Sequence, residues 1–194
     1  MKTTLLKSED YTRSPWKNGG GIFTDIADAH RADAPAKDWD SLLWRFASTP
    51  IVAPGPFSYM PGIDRLQMVV GGRGLVLKSP TQDFDEREPF TTVRFTGEME
   101  IVTALEAGPV EVVNLMARRG AAEIELLALR EPGERTLSAG THLVYAVSGE
   151  CSIRLNSEDI VIPDGSTLKV ELTEASRLGL VSGLAVLGSI QLVG

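Results

Sequence analysis

One plan of segments occurs twice in this sequence: a strand-like run, a glycine turn and a second strand-like run. Residues 61–77 follow this plan around the glycines of 71–74, and residues 138–155 follow it again around Gly149. Short runs rich in branched residues and separated by turn residues are typical of antiparallel strands. The repetition predicts two similar β units, with unrelated hairpins of similar wording as the alternative interpretation.

The same punctuation continues along the chain, where Gly-Pro or Pro-Gly pairs separate short branched runs, at 54–56, 61–62, 108–109 and 132–133. This pattern predicts an all-β protein, a duplicated jelly-roll of bicupin-like architecture with few short helices, around 34–43 and 174–177. We expect an N-terminal unit over residues 1–120 and a C-terminal unit over 121–194, in one compact chain whose units can exchange strands.

Charge and composition exclude several classes of function. The 194 residues carry a formal net charge of −7, which argues against nucleic acid as a partner because binding it requires a basic face. The first residues lack the apolar stretch of a signal peptide, and glycines interrupt the apolar residues 178–194, so we expect a cytoplasmic protein without membrane contact. The single cysteine, Cys151, allows no intrachain disulfide and is expected to be a small buried residue.

A histidine-based metal site is not predicted. The chain has two histidines, whereas a metal-binding cupin needs several imidazoles and usually a carboxylate around one ion. His142 lies in the second repeat and His30 in a polar, Asp-rich stretch, while the matching part of the first repeat contains Arg65, which repels a cation. We therefore expect no metal and no cofactor.

Polar residues within apolar runs are the strongest sign of a site. Three of them are Arg45, Arg65 and Asn114. An apolar residue at such a position would make folding more favourable, because an unpaired buried polar group costs roughly 1–3 kcal/mol. Alternation places Arg45 on the face opposite Trp44 and places Gln67 on the face of Arg65. Taken singly, each has a structural explanation, such as an ion pair or a bulge. Together they could bind a small carboxylate, which arginine holds bidentately.

The run Trp16-Lys17-Asn18-Gly19-Gly20-Gly21 adds a cation and an amide beside three glycines. Glycine allows positive φ and close approach of a ligand to the backbone, while Asn-Gly is also a strong signal of a type I′ hairpin turn. A hairpin that presents Lys17 and Asn18 to an anion accommodates both interpretations. The candidate aromatic walls are Trp16, Trp44 and Phe57.

Four sequence words together resemble the HutD/Ves family: WKNGGG at 16–21, WRFA at 44–47, GPFSYMPGIDR at 55–65 and GPVEVVNLM at 108–116. They stand in the family's order and spacing and cover about residues 5–120, whereas the C-terminal third is similar in pattern only. Met60 and Val113 stand where the family commonly has aromatic residues, which alters the wall of a pocket and leaves ligand identity open.

The resemblance implies a metal-free bicupin of the bacterial cytoplasm, linked to histidine utilisation or to environmental stress. It implies a regulatory protein that binds a small anionic metabolite such as formylglutamate, formate or urocanate, in a family without an established enzymatic activity. It implies no catalytic residue, and the ligand-binding residues carried over by matching words are Trp16, Lys17, Asn18, Arg45, Arg65 and Asn114.

Other functions remain open at this point. A metal-independent enzyme acting on a small acid needs a positioned general acid or base, for which the candidates are Asp64, Glu111, His142 and Tyr145. A module that acts by docking alone would show an exposed apolar patch and no closed pocket. The four words match a Ves-like stress-response protein equally well, and the sequence is compatible with a homodimer.

Overall fold

The structure is a computed structural model that describes residues 1–15, 22–32 and 39–193. The first part of the described chain forms β1 Lys2–Leu6, β2 Thr12–Pro15, β3 Ile22–His30, β4 Leu42–Ile51, β5 Ile63–Gly71, β6 Leu75–Lys78, β7 Asp83–Glu86, β8 Thr92–Thr96, β9 Val102–Leu105 and β10 Val110–Arg118. The remainder forms β11 Ala122–Leu129, β12 Gly133–Leu137, β13 Gly140–Ala146, β14 Cys151–Leu155, β15 Glu158–Ile162, β16 Thr167–Leu172, β17 Ser176–Ser182 and β18 Ala185–Leu192. The predicted all-β class is confirmed.

Helical structure in the described residues is limited to single 3₁₀ turns at Ser8–Asp10 and Trp39–Ser41. The helix predicted near 174–177 is wrong, because Ser176–Ser182 is a strand. Of the helix predicted over 34–43, the described part is the turn at Trp39–Ser41 followed by the start of β4, and residues 34–38 lie outside the described residues. Within the described ranges, no helix has the length and apolar character needed to cross a membrane.

The chain divides into two compact units. The first unit is Thr12–Ala122, and the second unit is Met1–Tyr11 together with Glu123–Val193. Residues 1–11, which the sequence analysis assigns to the N-terminal unit, belong to the second unit because β1 pairs with β16 along its whole length.

Each unit contains two antiparallel sheets. In the first unit the strand orders are β2-β3-β4-β10-β5-β8 and β7-β6-β9. A hydrophobic cluster joins these two sheets, since it contains Val69 and Val112 of the larger sheet and Leu75 and Leu77 of the smaller one. In the second unit the orders are β1-β16-β13-β18-β11 and β12-β17-β14-β15, and its own core contains residues of both sheets.

The two units repeat one scheme of strand pairing. In the first unit β5 pairs with β8 and β10, and β6 pairs with β7 and β9. In the second unit β13 pairs with β16 and β18, and β14 pairs with β15 and β17. Strands β5 to β10 therefore correspond in order to β13 to β18, which confirms the predicted duplicated, bicupin-like jelly-roll.

The turn between β5 and β6 shows why the first repeat carries glycines. Gly72 has a φ of 93°, in the region that residues with a side chain rarely adopt, and a Cβ atom there would lie 2.5 Å from the carbonyl oxygen of Pro109. The turn therefore packs tightly against the segment before β10, the strand that pairs with β5, and it carries the chain from the larger sheet to the smaller one.

Candidate functional site

Arg65, Gln67 and Asn114 project into the interior of the first unit. In the larger sheet Gln67 of β5 is paired with Asn114 of β10, and Arg65 is paired with Met116. Residues paired across antiparallel strands share a face of the sheet. Val112, which alternates with Asn114 and Met116, packs against the smaller sheet, so this face is the inner one.

A pocket opens beside these side chains. It has a volume of about 330 Å³ including its open mouth. Its enclosed part has room for about one water molecule, so only a small terminal group, such as one end of a carboxylate, can enter it. Its lining is mostly apolar with a few polar groups, and consists of Phe23, Thr49, Ile51, Phe57, Ser58, Met60, Arg65, Gln67, Val112 and Asn114.

Arg65 is the cation of this pocket. Its side chain is 5 % exposed, and its Nη2 donates a hydrogen bond to Asn114 Oδ1 at 3.1 Å. The guanidinium carbon lies 4.8 Å from the ring centre of Phe57 and 4.9 Å from that of Phe95, so aromatic faces hold it on two sides. Burial lowers the pKa of Arg65 to about 10, against the opposing charge of Glu86, and the guanidinium remains charged at neutral pH.

Four buried polar atoms lack a hydrogen-bond partner among the described residues: Arg65 Nε, Thr49 Oγ1, Gln67 Oε1 and Glu86 Oε1. Buried polar atoms are nearly always paired in folded proteins, because an unpaired one costs roughly 1–3 kcal/mol. Three of the four belong to residues that line the same pocket. The residues that line the pocket therefore include a cationic donor, a hydroxyl and an amide oxygen without partners among the described residues.

Glu86 is a buried ionisable residue beside the pocket residue Gln67 that the sequence analysis did not single out. It lies on β7 opposite Leu75 of β6, is 0 % exposed, and accepts a 2.7 Å hydrogen bond from Gln67 Nε2 at its Oε2. Burial raises the pKa of Glu86 to about 8, although the Gln67 hydrogen bond and the charge of Arg65 oppose the shift. The sequence pattern that points to Glu86 is the alternation in residues 83–86, which places Glu86 on the same face of the strand as the apolar Phe84.

The second unit shows that the fold does not require these polar groups. Its pairing scheme and alternation place His142 at the position of Arg65, and Val144 at that of Gln67. The residue paired with Val144 is Leu187 where the first unit has Asn114. Glu86 is paired with the first residue of β6. In the second unit the residue paired with the first residue of β14 is Ile162, so Ile162 corresponds to Glu86. At these positions the second unit keeps one buried polar residue, His142, and has apolar residues at the other three, so the combination of Arg65, Gln67, Glu86 and Asn114 is particular to the first unit. Such a combination is expected of a site and not of a fold requirement.

Arg45, the second predicted arginine, lies on the same inner face but is already paired. Its guanidinium contacts Asp25, with Nε donating to Asp25 Oδ1 at 2.5 Å, and Ser14 Oγ donates to the other oxygen of Asp25 at 2.6 Å. Its guanidinium carbon lies 4.6 Å from the ring centre of Phe23 and 4.9 Å from that of Trp39. Arg45 thus supports the wall beside the pocket, and it is absent from the lining.

The remaining predicted pocket residues divide into two groups. Trp16, Lys17 and Asn18 lie outside the described residues. Trp44, expected as an aromatic wall, is paired with Ala117 and lies on the face opposite Arg45, whereas Phe57 does line the pocket. Of the two departures from the family pattern, Met60 lines the pocket, and Val113 lies on the opposite face of β10 from Asn114.

The structure does not bring the proposed acid–base candidates into the pocket. Asp64 is paired with Arg119 at 2.9 Å, and Glu111 accepts a hydrogen bond from Ser48. Both nitrogens of His142 are hydrogen-bonded, Nδ1 with Ser189 Oγ and Nε2 with the Ser138 carbonyl, each at 2.9 Å. Burial lowers the pKa of His142. Neither these residues nor Tyr145 lines the pocket as the structure describes it.

One other cluster has the composition of a catalytic triad but the wrong exposure. His30 Nδ1 is 2.8 Å from Ser41 Oγ, and His30 Nε2 is 2.9 Å from Asp28 Oδ2. A nucleophilic serine must reach its substrate, yet Ser41 is 0 % exposed. The solvent-exposed residue of the three is Asp28, at the opposite end of the hydrogen-bonded series. The cluster therefore anchors the end of β3 to the turn at Trp39–Ser41.

Over residues 1–15, 22–32 and 39–193, no three His, Cys, Asp or Glu side chains lie close enough together to hold a metal ion. Cys151 is a buried free cysteine, and burial raises the pKa of its thiol to about 11. Arg65 Nε is a charged donor without a partner among the described residues, and Arg characteristically binds carboxylates through directed hydrogen bonds.

Comparison with known proteins finds relatives that match nearly the whole chain. An uncharacterised 21.2 kDa protein from the hutC 3′ region of Pseudomonas putida is 27 % identical over 190 residues, which are 98 % of this chain and 90 % of that protein. The crystal structure of the conserved protein of unknown function PA5104 from Pseudomonas aeruginosa PAO1 is similar over 100 % of both chains, with a TM-score of 0.85 and 23 % identity.

A third similar protein is HutD from Pseudomonas fluorescens SBW25, whose structure in a formate condition matches over 100 % of both chains with a TM-score of 0.81 and 23 % identity. These structural similarities establish the common fold. The HutD family model itself matches residues 8–186, nearly the whole sequence. The chain is therefore a member of the HutD family.

Proposed function

We propose that this protein binds a small carboxylate in the first-unit pocket and acts through that binding as a regulator of histidine utilisation. The observation that carries the proposal is the buried, charged Arg65. Its Nε has no hydrogen-bond partner among the described residues, and its side chain lines the pocket. A carboxylate oxygen is the natural acceptor for that donor and restores the hydrogen bond that burial requires.

The other polar groups of the pocket support the same ligand class. Asn114 Oδ1 accepts one hydrogen bond from Arg65, which orients the guanidinium, and leaves the Nε side for a ligand. Thr49 supplies a hydroxyl that can donate to a second carboxylate oxygen. Phe57 and Phe95 exclude water from the guanidinium, so its attraction for an anion is stronger than at a surface.

The family and its relatives support the physiological setting. The relative in Pseudomonas putida is described by its position near hutC, and the structure of HutD from Pseudomonas fluorescens by a formate condition. Formate is the smallest carboxylate, and formylglutamate and urocanate are larger candidates that share the group. A protein that measures such a metabolite requires binding and no chemistry, which agrees with a pocket that the acid–base candidates do not enter.

Calorimetric titration tests the binding. Formate, formylglutamate and urocanate are each titrated into the wild-type protein and into Arg65→Met, with Arg94→Met as the matched control because Arg94 is exposed on the neighbouring strand β8. Loss of a buried charge partner costs about 2 kcal/mol or more, so Arg65→Met should weaken binding by about 30-fold or more. Absence of binding by folded wild-type protein at millimolar ligand, or equal binding by Arg65→Met, would refute the proposal.

The regulatory role is tested in cells that depend on this protein. Expression of the histidine-utilisation genes is measured after histidine addition, with the wild-type chain, Arg65→Met or Arg94→Met supplied. We expect Arg65→Met to respond as cells without the protein do, at equal protein level. A response identical to the wild type would separate the regulatory role from the pocket.

A further inference from the structure

The interior of the first unit contains, besides Arg65, a second buried ionisable group, Glu86. Glu86 does not line the pocket itself, but its Oε2 accepts the hydrogen bond of Gln67, which does. Its other oxygen, Oε1, is buried without a hydrogen-bond partner among the described residues. At the corresponding position the second unit has the apolar Ile162, so a carboxyl is not needed to build the strand pair.

Arg65 is the charged group that acts on Glu86 from the facing sheet. Along β7 and just beyond it, Asp85 and Arg87 pair with each other on the outside, and Glu106 after β9 lies 3.9 Å from Arg87. On the other packed strands, Lys78 of β6 and Arg94 of β8 are exposed, and Glu111 of β10 binds Ser48 on the opposite face. Asp64 of β5 pairs with Arg119, and Arg118 of β10 donates to the carbonyls of Leu42 and Trp39. Arg45 of the neighbouring strand β4 is neutralised by Asp25.

The charge state of Glu86 therefore decides the net charge of the interior. With Glu86 protonated, Arg65 leaves one positive charge, and a bound carboxylate neutralises it. With Glu86 ionised, Arg65 is already neutralised, and a bound carboxylate would leave one uncompensated negative charge inside an apolar unit. Burying an unpaired charge is far more costly than burying a compensated pair.

We propose that Glu86 makes ligand binding proton-coupled, so that the pocket accepts one monoanionic carboxylate only while Glu86 carries its proton. Gln67 connects Glu86 to the pocket, because its side chain lines the pocket and its amide donates a hydrogen bond to Glu86. This inference rests on the proposed carboxylate binding and adds a selectivity for single negative charge and a dependence on pH. The free protein keeps Glu86 protonated up to a pH of about 8, where its pKa lies.

Formate titrations between pH 6 and pH 9 test the coupling, because formate itself stays ionised over that range. The wild-type affinity should be constant at the acidic end and then fall, approaching tenfold per pH unit above about pH 8. Glu86→Gln keeps a hydrogen-bond acceptor for Gln67 without the titration, and should bind formate with an affinity that does not change with pH. Glu111→Gln is the matched control, since burial also raises the pKa of Glu111, and it should keep the wild-type profile.

Proton uptake gives a second readout that needs no variant. At pH 8 the wild-type binding enthalpy should differ between phosphate and Tris buffers, whose ionisation enthalpies differ, because the protein takes up a fraction of a proton with each formate. Formate binding with a pH-independent affinity and no proton uptake would overturn the coupling and leave the proposed function intact. A pH dependence that persists in Glu86→Gln would also overturn it. No formate binding by folded wild-type protein at any pH would overturn both proposals.

Discussion

Gln67 Nε2 donates a hydrogen bond to Glu86 Oε2 at 2.7 Å, between two side chains that are each 0 % exposed and belong to different sheets of the first unit. This contact fixes the direction of the Gln67 amide and leaves its Oε1 buried without a hydrogen-bond partner among the described residues. A buried polar atom without a partner lowers stability.

The stability of the protein should depend on pH through Glu86. In the unfolded chain a glutamate loses its proton near its ordinary pKa of 4.5, whereas folded Glu86 keeps it until about 8. Between these values the folded state binds more protons, so the free energy of unfolding falls as pH rises, by up to about 1.4 kcal/mol per pH unit. Below about 4.5 and above about 8 this contribution no longer changes.

Urea unfolding of the wild type and Glu86→Gln at pH 5, 6, 7 and 8 measures this effect. The stability difference between the two should shift steadily in favour of the variant as pH rises. Glu88→Gln is the control, because Glu88 is exposed two residues further along the chain. A constant difference between wild type and Glu86→Gln would show that Glu86 titrates normally.

Asn114→Asp should abolish carboxylate binding while the protein remains folded. Arg65 Nη2 already lies 3.1 Å from Asn114 Oδ1, so a carboxylate at that atom would form an internal ion pair and neutralise the cation. We expect the affinity for formate to fall by at least about tenfold. Asn156→Asp, in the exposed β14–β15 turn of the second unit, adds the same charge and should leave the affinity unchanged. Retained binding in Asn114→Asp would place the ligand elsewhere.

Arg45→Met should lower stability more than it lowers affinity for the ligand. Removing Arg45 leaves Asp25 largely buried without its main cation, and breaking one side of such a pair costs about 3 kcal/mol. The double variant Arg45→Met with Asp25→Asn should regain much of that stability in urea unfolding. Loss of formate binding in a stable double variant would instead give Arg45 a direct part in the site.

Cys151 should not react with thiol reagents in the folded protein. Its side chain is 0 % exposed, and burial raises the pKa of the thiol to about 11, so the reactive thiolate is scarce at pH 8. Labelling with a chromogenic disulfide at pH 8 should be slow in buffer and complete within minutes in urea. Rapid stoichiometric labelling of native protein would contradict this burial.

Much of the fold was predictable because a strand can be recognised from the pattern of a few consecutive residues. The alternating runs and glycine turns of residues 61–77 and 138–155 predict a strand, a turn and a strand in each repeat, and the structure forms all four strands. The two strands beside each turn do not pair as a hairpin, because they lie in different sheets, and this arrangement is the same in both units. The helices predicted at 34–43 and 174–177 rested on weak local preference. Strand pairing overrides such preferences, as in Ser176–Ser182.

The site was predictable in part for the same reason. Arg65 and Asn114 stand out as polar residues inside apolar strands, and the structure brings them to one pocket. Arg45 stands out equally, yet its partner Asp25 is twenty residues away, and no local pattern shows that the two meet. Glu86 belongs to a segment, Asp83–Glu86, in which three acidic residues out of four suggest a solvated strand.

The sequence by itself determined the class of the fold, the duplication and the presence of polar residues in the strand interiors, because alternation and turn chemistry are local properties. Only the tertiary structure decided which of those residues face a pocket and which are already paired. Charge pairing and burial depend on side chains that lie far apart in the chain, such as Gln67 with Glu86 and Arg65 with Asn114. Those long-range contacts distinguish Arg65, whose Nε has no partner among the described residues, from Arg45, which Asp25 neutralises.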